Sequence, residues 1–305
     1  MYVYNFDFMK SQKTLFEVRK LMLERKVHHP NDITVKYLTE VMPEKLHHYL
    51  GLPGKFVCNY PTRVIKRDGS EREMDWLIFA REDNTVIFEK ILINVEFQSS
   101  YVGLKKIKVI AEYRDYSKTY YDFPVLSVIV ITEGFDSSVL EYSRVSSDII
   151  KPVYIHLDWS EVNERLKNIE DKINNQKQLS DDEALDMVFL PMFASNNNAK
   201  SVTEKLAKLF HKDKSLTGAF RNDIGFSLSL MVKKHFDFSD KGKELLKMLE
   251  GEIENTKLRD VVEFEVDFIL RSHEKELAKK DEIISERDNE ITMLKAKIEE
   301  LTLGK

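Results

Sequence analysis

The chain has few of the residues from which disulfide, zinc and nucleotide-phosphate sites are built. Its 305 residues include a single cysteine, Cys58, which excludes a disulfide within the chain and a zinc site made of cysteines. The ten glycines are scattered and form no glycine-rich phosphate loop. The sequence therefore gives no support to an NTPase or a dinucleotide-binding enzyme.

Long apolar runs are also lacking. Residues 125–131 are apolar but too few to span a bilayer. Residues 1–20 alternate aromatic and charged residues in place of the apolar core of a signal peptide. The low cysteine content fits a reducing compartment. We therefore expect a cytoplasmic protein that does not use a membrane.

The excess of negative charge lies in the second half of the sequence. The net charge is −5, but residues 1–130 contain 20 Lys and Arg against 17 Asp and Glu. The remaining residues contain 27 Lys and Arg against 35 Asp and Glu. The first half is therefore compatible with a nucleic-acid-binding surface.

The order of apolar and polar segments predicts an α/β domain. The pattern favours a helix, then a run of consecutive strands, then a helix and buried strands. The predicted helices are 10–26, 33–50 and 104–121, and the predicted strands are 56–66, 74–80, 86–98, 125–132 and 152–157. Pro61 weakens the middle of the first strand because proline has no N–H to donate.

The rest of the chain reads as helical from about residue 161. Ser180 with Glu183 three residues later is typical of a helix start. Apolar residues then recur every seven positions, which predicts a terminal coiled coil: Leu270, Leu277, Ile284, Ile291 and Ile298. We expect three parts: a domain at 1–160, a helical extension at 161–250, and a long helix or coiled coil at 251–305.

Three polar residues on two consecutive strands form the strongest candidate site. Asp75 interrupts an apolar run, while Glu96 and Gln98 share one face of the next strand because strand side chains alternate. If the strands are neighbours, the two carboxylates can converge on Mg²⁺ or Mn²⁺, which prefer oxygen ligands. A solvent-facing row of polar residues on an antiparallel sheet would give the same pattern.

The order Asp75 and then Glu96-Phe97-Gln98-Ser99 resembles the PD-(D/E)XK nuclease superfamily. More narrowly it resembles the Rpn (recombination-promoting nuclease)/transposase family, whose third motif reads Glu-x-Gln. The Asp-Ile-Thr-Val-Lys stretch at 32–36 is similar to the Asp-x-x-Phe-Lys opening of that group. The resemblance covers about 31–132 and implies a mixed central sheet flanked by helices, with a helical C-terminal extension.

The resemblance also implies a set of roles. Asp75 and Glu96 would be metal ligands with the backbone carbonyl of Phe97, and Gln98 would replace the usual lysine. Glu40 or Glu44 could complete the shell. The implied activity is that of a DNA endonuclease that uses Mg²⁺ or Mn²⁺ to hydrolyse phosphodiester bonds and is linked to mobile elements and recombination.

The basic group that would hold the phosphate is left open. The family usually carries an Arg and then a Tyr in the helix after the motif. The candidates for contact with nucleic acid here are Lys105, Lys106, Lys108 and Tyr113. A solvated helix face is the alternative explanation for the lysines, and for any one residue it is slightly favoured. The alternatives to an active nuclease are an inactive relative that binds DNA or a protein, and a structural coiled-coil protein.

The heptad repeat predicts a homodimer that forms through the C-terminal segment. Deletion of residues 272–305 removes most of the apolar seam and is expected to convert a dimer into a monomer. Light scattering coupled to size-exclusion chromatography measures the mass of both chains. An unchanged number of subunits after the deletion would contradict the prediction.

Overall fold

The structure is a computed structural model that describes residues 30–65, 71–84, 87–99, 102–132, 142–145, 148–194, 196–236 and 239–250. These residues belong to a compact unit that spans Leu23–Glu254. The predicted helix at 10–26 and the predicted coiled coil at 251–305 lie outside the described residues.

The described residues form nine strands and eight helices. The strands are β1 (Lys55–Tyr60), β2 (Arg63–Ile65), β3 (Glu71–Glu73), β4 (Trp76–Asn84), β5 (Ile87–Gln98), β6 (Val125–Ile131), β7 (Tyr142–Val145), β8 (Asp148–Ile150) and β9 (Val153–Ile155). The helices are α1 (Pro30–Val41), α2 (Pro43–Tyr49), α3 (Leu104–Tyr121), α4 (Trp159–Asn174), α5 (Asp181–Phe193), α6 (Asn196–Lys212), α7 (Gly218–Phe236) and α8 (Asp240–Glu250).

The centre of the fold is a five-stranded mixed sheet in the order β1-β4-β5-β6-β9. β1, β4 and β5 are antiparallel neighbours, whereas β6 runs parallel to β5, and β9 parallel to β6. Successive residues Trp76, Leu77 and Ile78 of β4 are all buried, so this strand is covered on both faces. The predicted α/β class with a mixed central sheet flanked by helices is confirmed.

Helix α3 is the crossover that parallel pairing of β5 and β6 requires. Its apolar face packs on the sheet through a cluster in which Ile107, Ile110 and Ala111 contact Ile129 and Ile131. The chain that leaves β5 after Gln98 therefore returns along the sheet. This return brings the first turn of α3 back to the end of β5.

Three predicted elements differ from the structure. The helix predicted at 33–50 is divided into α1 and α2 at Pro43, which cannot supply the backbone N–H of a continuous helix. The strand predicted at 56–66 is divided into β1 and β2 around Pro61, which cannot donate to a sheet ladder. The sequence pattern had placed Asp75 inside a strand at 74–80. In the structure, Asp75 lies immediately before β4. The predicted helix start at Ser180 is confirmed, because Ser180 and Glu183 form a capping box at α5.

The helices after the sheet pack back onto the first helix. The hydroxyl of Tyr37 in α1 donates to Oδ1 of Asp223 in α7 at 2.7 Å. The Tyr37 ring also meets the Phe226 ring edge-on, with centroids 4.8 Å apart. Among the described helices, none is both long and apolar enough to cross a membrane.

Substitution of Tyr37 tests the contact between α1 and α7. Tyr37→Phe removes the donor to the buried Asp223 carboxylate, so the free energy of unfolding is expected to fall by about 1–2 kcal/mol. Urea unfolding measures the change. Tyr120→Phe is the matched control, because Tyr120 is 70% exposed and its substitution is expected to change stability by less than about 0.5 kcal/mol. Equal effects of the two substitutions would contradict the assignment.

Candidate active site

Asp75 and Glu96 lie opposite each other where β4 begins and β5 ends. The register pairs Trp76 with Val95, so the preceding residue, Asp75, faces Glu96. The Phe97 backbone N–H donates to Asp75 Oδ2 at 2.8 Å, and the Asp75 backbone N–H donates to Glu96 Oε1 at 3.4 Å. The structure thus brings together the two predicted carboxylates, each hydrogen-bonded to the other strand's backbone.

The polar row on β5 is buried at Asn94 and Glu96 and half-buried at Gln98, so it is not a solvent-facing edge of the sheet. Asn94 and Glu96 are 0% and 1% exposed. Their burial follows from the position of β5 between β4 and β6, with helices packed against the sheet. A carboxylate in such a position requires compensation from hydrogen bonds, a counter-charge or a cation.

The pKa values of both carboxylates are raised above their ordinary values. Loss of hydration, followed by the neighbouring Asp75 carboxylate, raises the pKa of Glu96 from its ordinary 4.5 to about 7, and Lys106 opposes the rise. Burial likewise raises the pKa of Asp75, against the effect of the hydrogen bond from Phe97. Two adjacent buried carboxylates disfavour double ionisation, and a bound cation would relieve that penalty.

Lys106 is the lysine of α3 that reaches the acidic pair. Its Nζ lies 2.6 Å from Glu96 Oε2, and its side chain is 27% exposed. Lys105 and Lys108 are exposed on the same helix. Consecutive helix positions diverge by about 100°, so the three lysines cannot all face the sheet. The structure therefore distinguishes among candidates that the sequence left equivalent.

Gln98 contacts the predicted carbonyl ligand directly. Its Nε2 donates to the backbone oxygen of Phe97 at 2.7 Å. The backbone oxygen of Gln98 in turn accepts from the N–H and the hydroxyl of Thr132, at 2.8 and 3.2 Å. The end of β5 is thereby tied to the residue that follows β6, and the Phe97 carbonyl stays beside the acidic pair.

Tyr113 does not lie on the exposed strip with Lys105 and Lys108. It is buried, and its hydroxyl donates to the backbone oxygen of Glu73 at 3.0 Å. Burial and the nearby Glu96 carboxylate raise the pKa of Tyr113 well above its ordinary value. Tyr113 therefore holds the segment that leads into Asp75.

Helix α1 contributes charges that sequence reasoning did not assign to the site. Asp32 raises the pKa of Asp75, and Lys36 lowers it, so both lie within electrostatic range of that carboxylate. Lys36 also pairs with Glu73 at 3.1 Å. The available signal was the 32–36 motif, which the resemblance had matched without giving Asp32 a role.

The two glutamates proposed for the metal shell are not shown beside Asp75. Glu44 lines a separate cavity with Lys55 and Arg81, and Glu40 is exposed on α1. Within the described residues, no three His, Cys, Asp or Glu side chains are grouped to hold a metal ion. The candidate donors are therefore two carboxylates and the Phe97 carbonyl. Such an oxygen set suits Mg²⁺, which usually keeps several waters and takes one or two carboxylates.

Comparison with known proteins gives no relative. No protein-family model, no curated protein and no solved structure matches the chain.

The raised pKa of Glu96 predicts how stability depends on pH. Between about pH 5 and 7 the folded chain keeps a proton on Glu96 that the unfolded chain has released. In metal-free buffer the free energy of unfolding therefore falls as the pH rises through this window, by about 2–3 kcal/mol from this group. The raised pKa of Asp75 acts in the same direction.

Glu96→Gln removes this titration and is expected to reduce the loss of stability between pH 5 and pH 8. Urea unfolding at both pH values, in the presence of a chelator, measures the difference. Glu164→Gln is the control, because Glu164 is exposed on α4. Parallel pH profiles for the wild-type protein and the Glu96→Gln variant would contradict the prediction.

Proposed function

We propose that the chain is a metal-dependent DNA endonuclease of the PD-(D/E)XK type, related to the Rpn/transposase family. The observation that carries the proposal is the pair formed by the half-buried Asp75 and the buried Glu96, with Lys106 against it, at the end of β5. The link to mobile elements and recombination rests on the sequence resemblance. A dimer formed through residues 251–305 would provide one site for each DNA strand.

Asp75, Glu96 and the Phe97 carbonyl would hold Mg²⁺ or Mn²⁺. The bound ion would supply Lewis-acid polarisation of the phosphate and a lowered pKa for the attacking water. Gln98 orients the Phe97 carbonyl through the hydrogen bond from Nε2. The N–H of Phe97 holds the Asp75 carboxylate in place, so this carboxylate would need little rearrangement when the ion binds.

Lys106 provides a positive charge at the same position. In the ion pair its ammonium balances Glu96, and its flexible stem allows it to turn toward a phosphate oxygen. There it would stabilise the negative charge that builds up as the phosphodiester bond is attacked. The exposed Lys105 and Lys108 would contact flanking phosphates without reading the base sequence.

The second candidate is an inactive module that keeps this fold and binds DNA or a protein. The observation in its favour is the 2.6 Å contact between Lys106 and Glu96. This contact neutralises Glu96 without any metal, and buried ion pairs of this kind also occur in purely structural settings. Metal binding and DNA cleavage therefore have to be measured separately.

Cleavage of supercoiled plasmid tests the proposed activity. The wild-type protein is expected to nick or linearise DNA in Mg²⁺ or Mn²⁺ and to be inactive in chelator. Asp75→Asn and Glu96→Gln each remove one carboxylate charge with little change in shape, and each is expected to lower the rate by roughly a hundredfold or more. Glu164→Gln, on exposed α4, is the matched control and is expected to cleave like the wild type.

Calorimetric titration with Mn²⁺ separates the two candidate functions. An active nuclease is expected to bind the ion through Asp75 and Glu96, so the Asp75→Asn and Glu96→Gln variants are both expected to bind it more weakly.

Failure of the wild type to cleave any DNA, with DNA binding intact, would instead support the inactive module. Cleavage that persists in Asp75→Asn would refute the assignment of the site.

A further inference from the structure

A cavity of about 440 Å³ lies next to the acidic pair on the Gln98 side. Its polar lining comes from strand ends and helix ends: Asn31, Asp32, Gln98, Ser99, Thr132 and Lys234. Gln98 and Thr132 stand at the carboxyl ends of the parallel strands β5 and β6. Open α/β sheets bind their ligands at such ends, because the loops that follow the strands diverge there.

The helical extension contributes to this cavity because α7 runs antiparallel to α1. The two helices meet where Tyr37 contacts Asp223 and Phe226. From Tyr37 back to Asn31 is about 9 Å along α1, and from Phe226 on to Lys234 is about 12 Å along α7. The first turn of α1 and the last turn of α7 therefore reach the same cavity, as its lining shows.

The polar groups of the cavity match the chemistry of a nucleotide. Lys234 supplies a positive charge, and the first turn of α1 is the positive end of its helix dipole, so both favour an anion, whereas Asp32 in the same lining opposes one. A ligand that carries a phosphate, as a nucleotide does, would meet the positive charge of Lys234.

We infer that this cavity binds the nucleotide next to the bond that is cut, and that Lys234 contacts the phosphate of that nucleotide. The inference rests on the proposed nuclease function and adds a substrate-binding residue to it. Lys234 lies more than 130 positions after Gln98, in the segment that sequence analysis treated as a separate helical extension. The extension is thereby part of the DNA-binding surface.

A structural role for Lys234 makes a different prediction. A lysine in the last turn of a helix can stabilise the helix dipole without contacting any ligand. Its removal would then lower the melting temperature and leave DNA affinity and salt dependence unchanged. Phosphate contact instead adds to the number of counterions released on binding, so it appears in the salt dependence.

The test measures binding of a fluorescent DNA duplex by anisotropy, with the full chain, in chelator, across a series of KCl concentrations. Lys234→Gln is expected to weaken binding roughly fivefold to tenfold and to reduce the slope of log Kd against log [KCl] by about 1. Lys234→Arg keeps the charge and is expected to retain most of the affinity. Lys243→Gln, at an exposed position on α8, is the matched control and is expected to bind like the wild type.

Ser99→Glu provides a second variant that does not depend on the tolerance of α7 to substitution. Ser99 is exposed and lines the cavity, so an added negative charge is expected to weaken DNA binding without loss of folding. Unchanged affinity and salt slope in both Lys234→Gln and Ser99→Glu, with a wild type that cleaves DNA, would overturn this inference alone. Weaker binding by both variants of a wild type that binds but does not cleave would support the cavity and refute the nuclease.

Discussion

Burial of one carboxylate directly beside another is the constraint on which the site depends. Asp75 and Glu96 face each other across β4 and β5, and Glu96 is almost fully withdrawn from water. Their repulsion is stronger there than at the surface because the surroundings screen charge poorly. The fold offsets it with backbone N–H donors and with the Lys106 ammonium. Under the proposed function, a bound cation would relieve this repulsion.

The neighbouring elements position this pair or act on its charge. The crossover helix α3 carries Lys106 to Glu96 and, two turns later, Tyr113 to the carbonyl of Glu73 before Asp75. The link from Thr132 to Gln98 fixes the end of β5, where the Phe97 carbonyl lies. Helix α1 adds the charges of Asp32 and Lys36, which act on Asp75. The polar network is therefore built from residues on strands β4 to β6 and helices α1 and α3.

Much of the sheet and part of the site could be predicted, for reasons that concern short stretches of sequence. Alternation put Glu96 and Gln98 on one face, and the consecutive strands made Asp75 a neighbour. The same reasoning failed where a choice depended on three-dimensional packing. It could not choose among Lys105, Lys106 and Lys108, and it grouped Tyr113 with the exposed lysines although that side chain is buried. It also considered Glu40 and Glu44, whereas Asp32 is the α1 carboxylate that acts on Asp75.

The sequence by itself determined the α/β class, the alternation along β5 and the identity of the carboxylates, because these depend on residues a few positions apart. Tertiary structure decided which lysine meets Glu96, how deeply the pair is buried and which helix end adds Lys234 to the cavity. These features join segments separated by tens to hundreds of residues. They follow from the crossover of α3 and from the antiparallel packing of α7 on α1, in which the contacting side chains, such as Tyr37 and Asp223, carry no local signal of their partner.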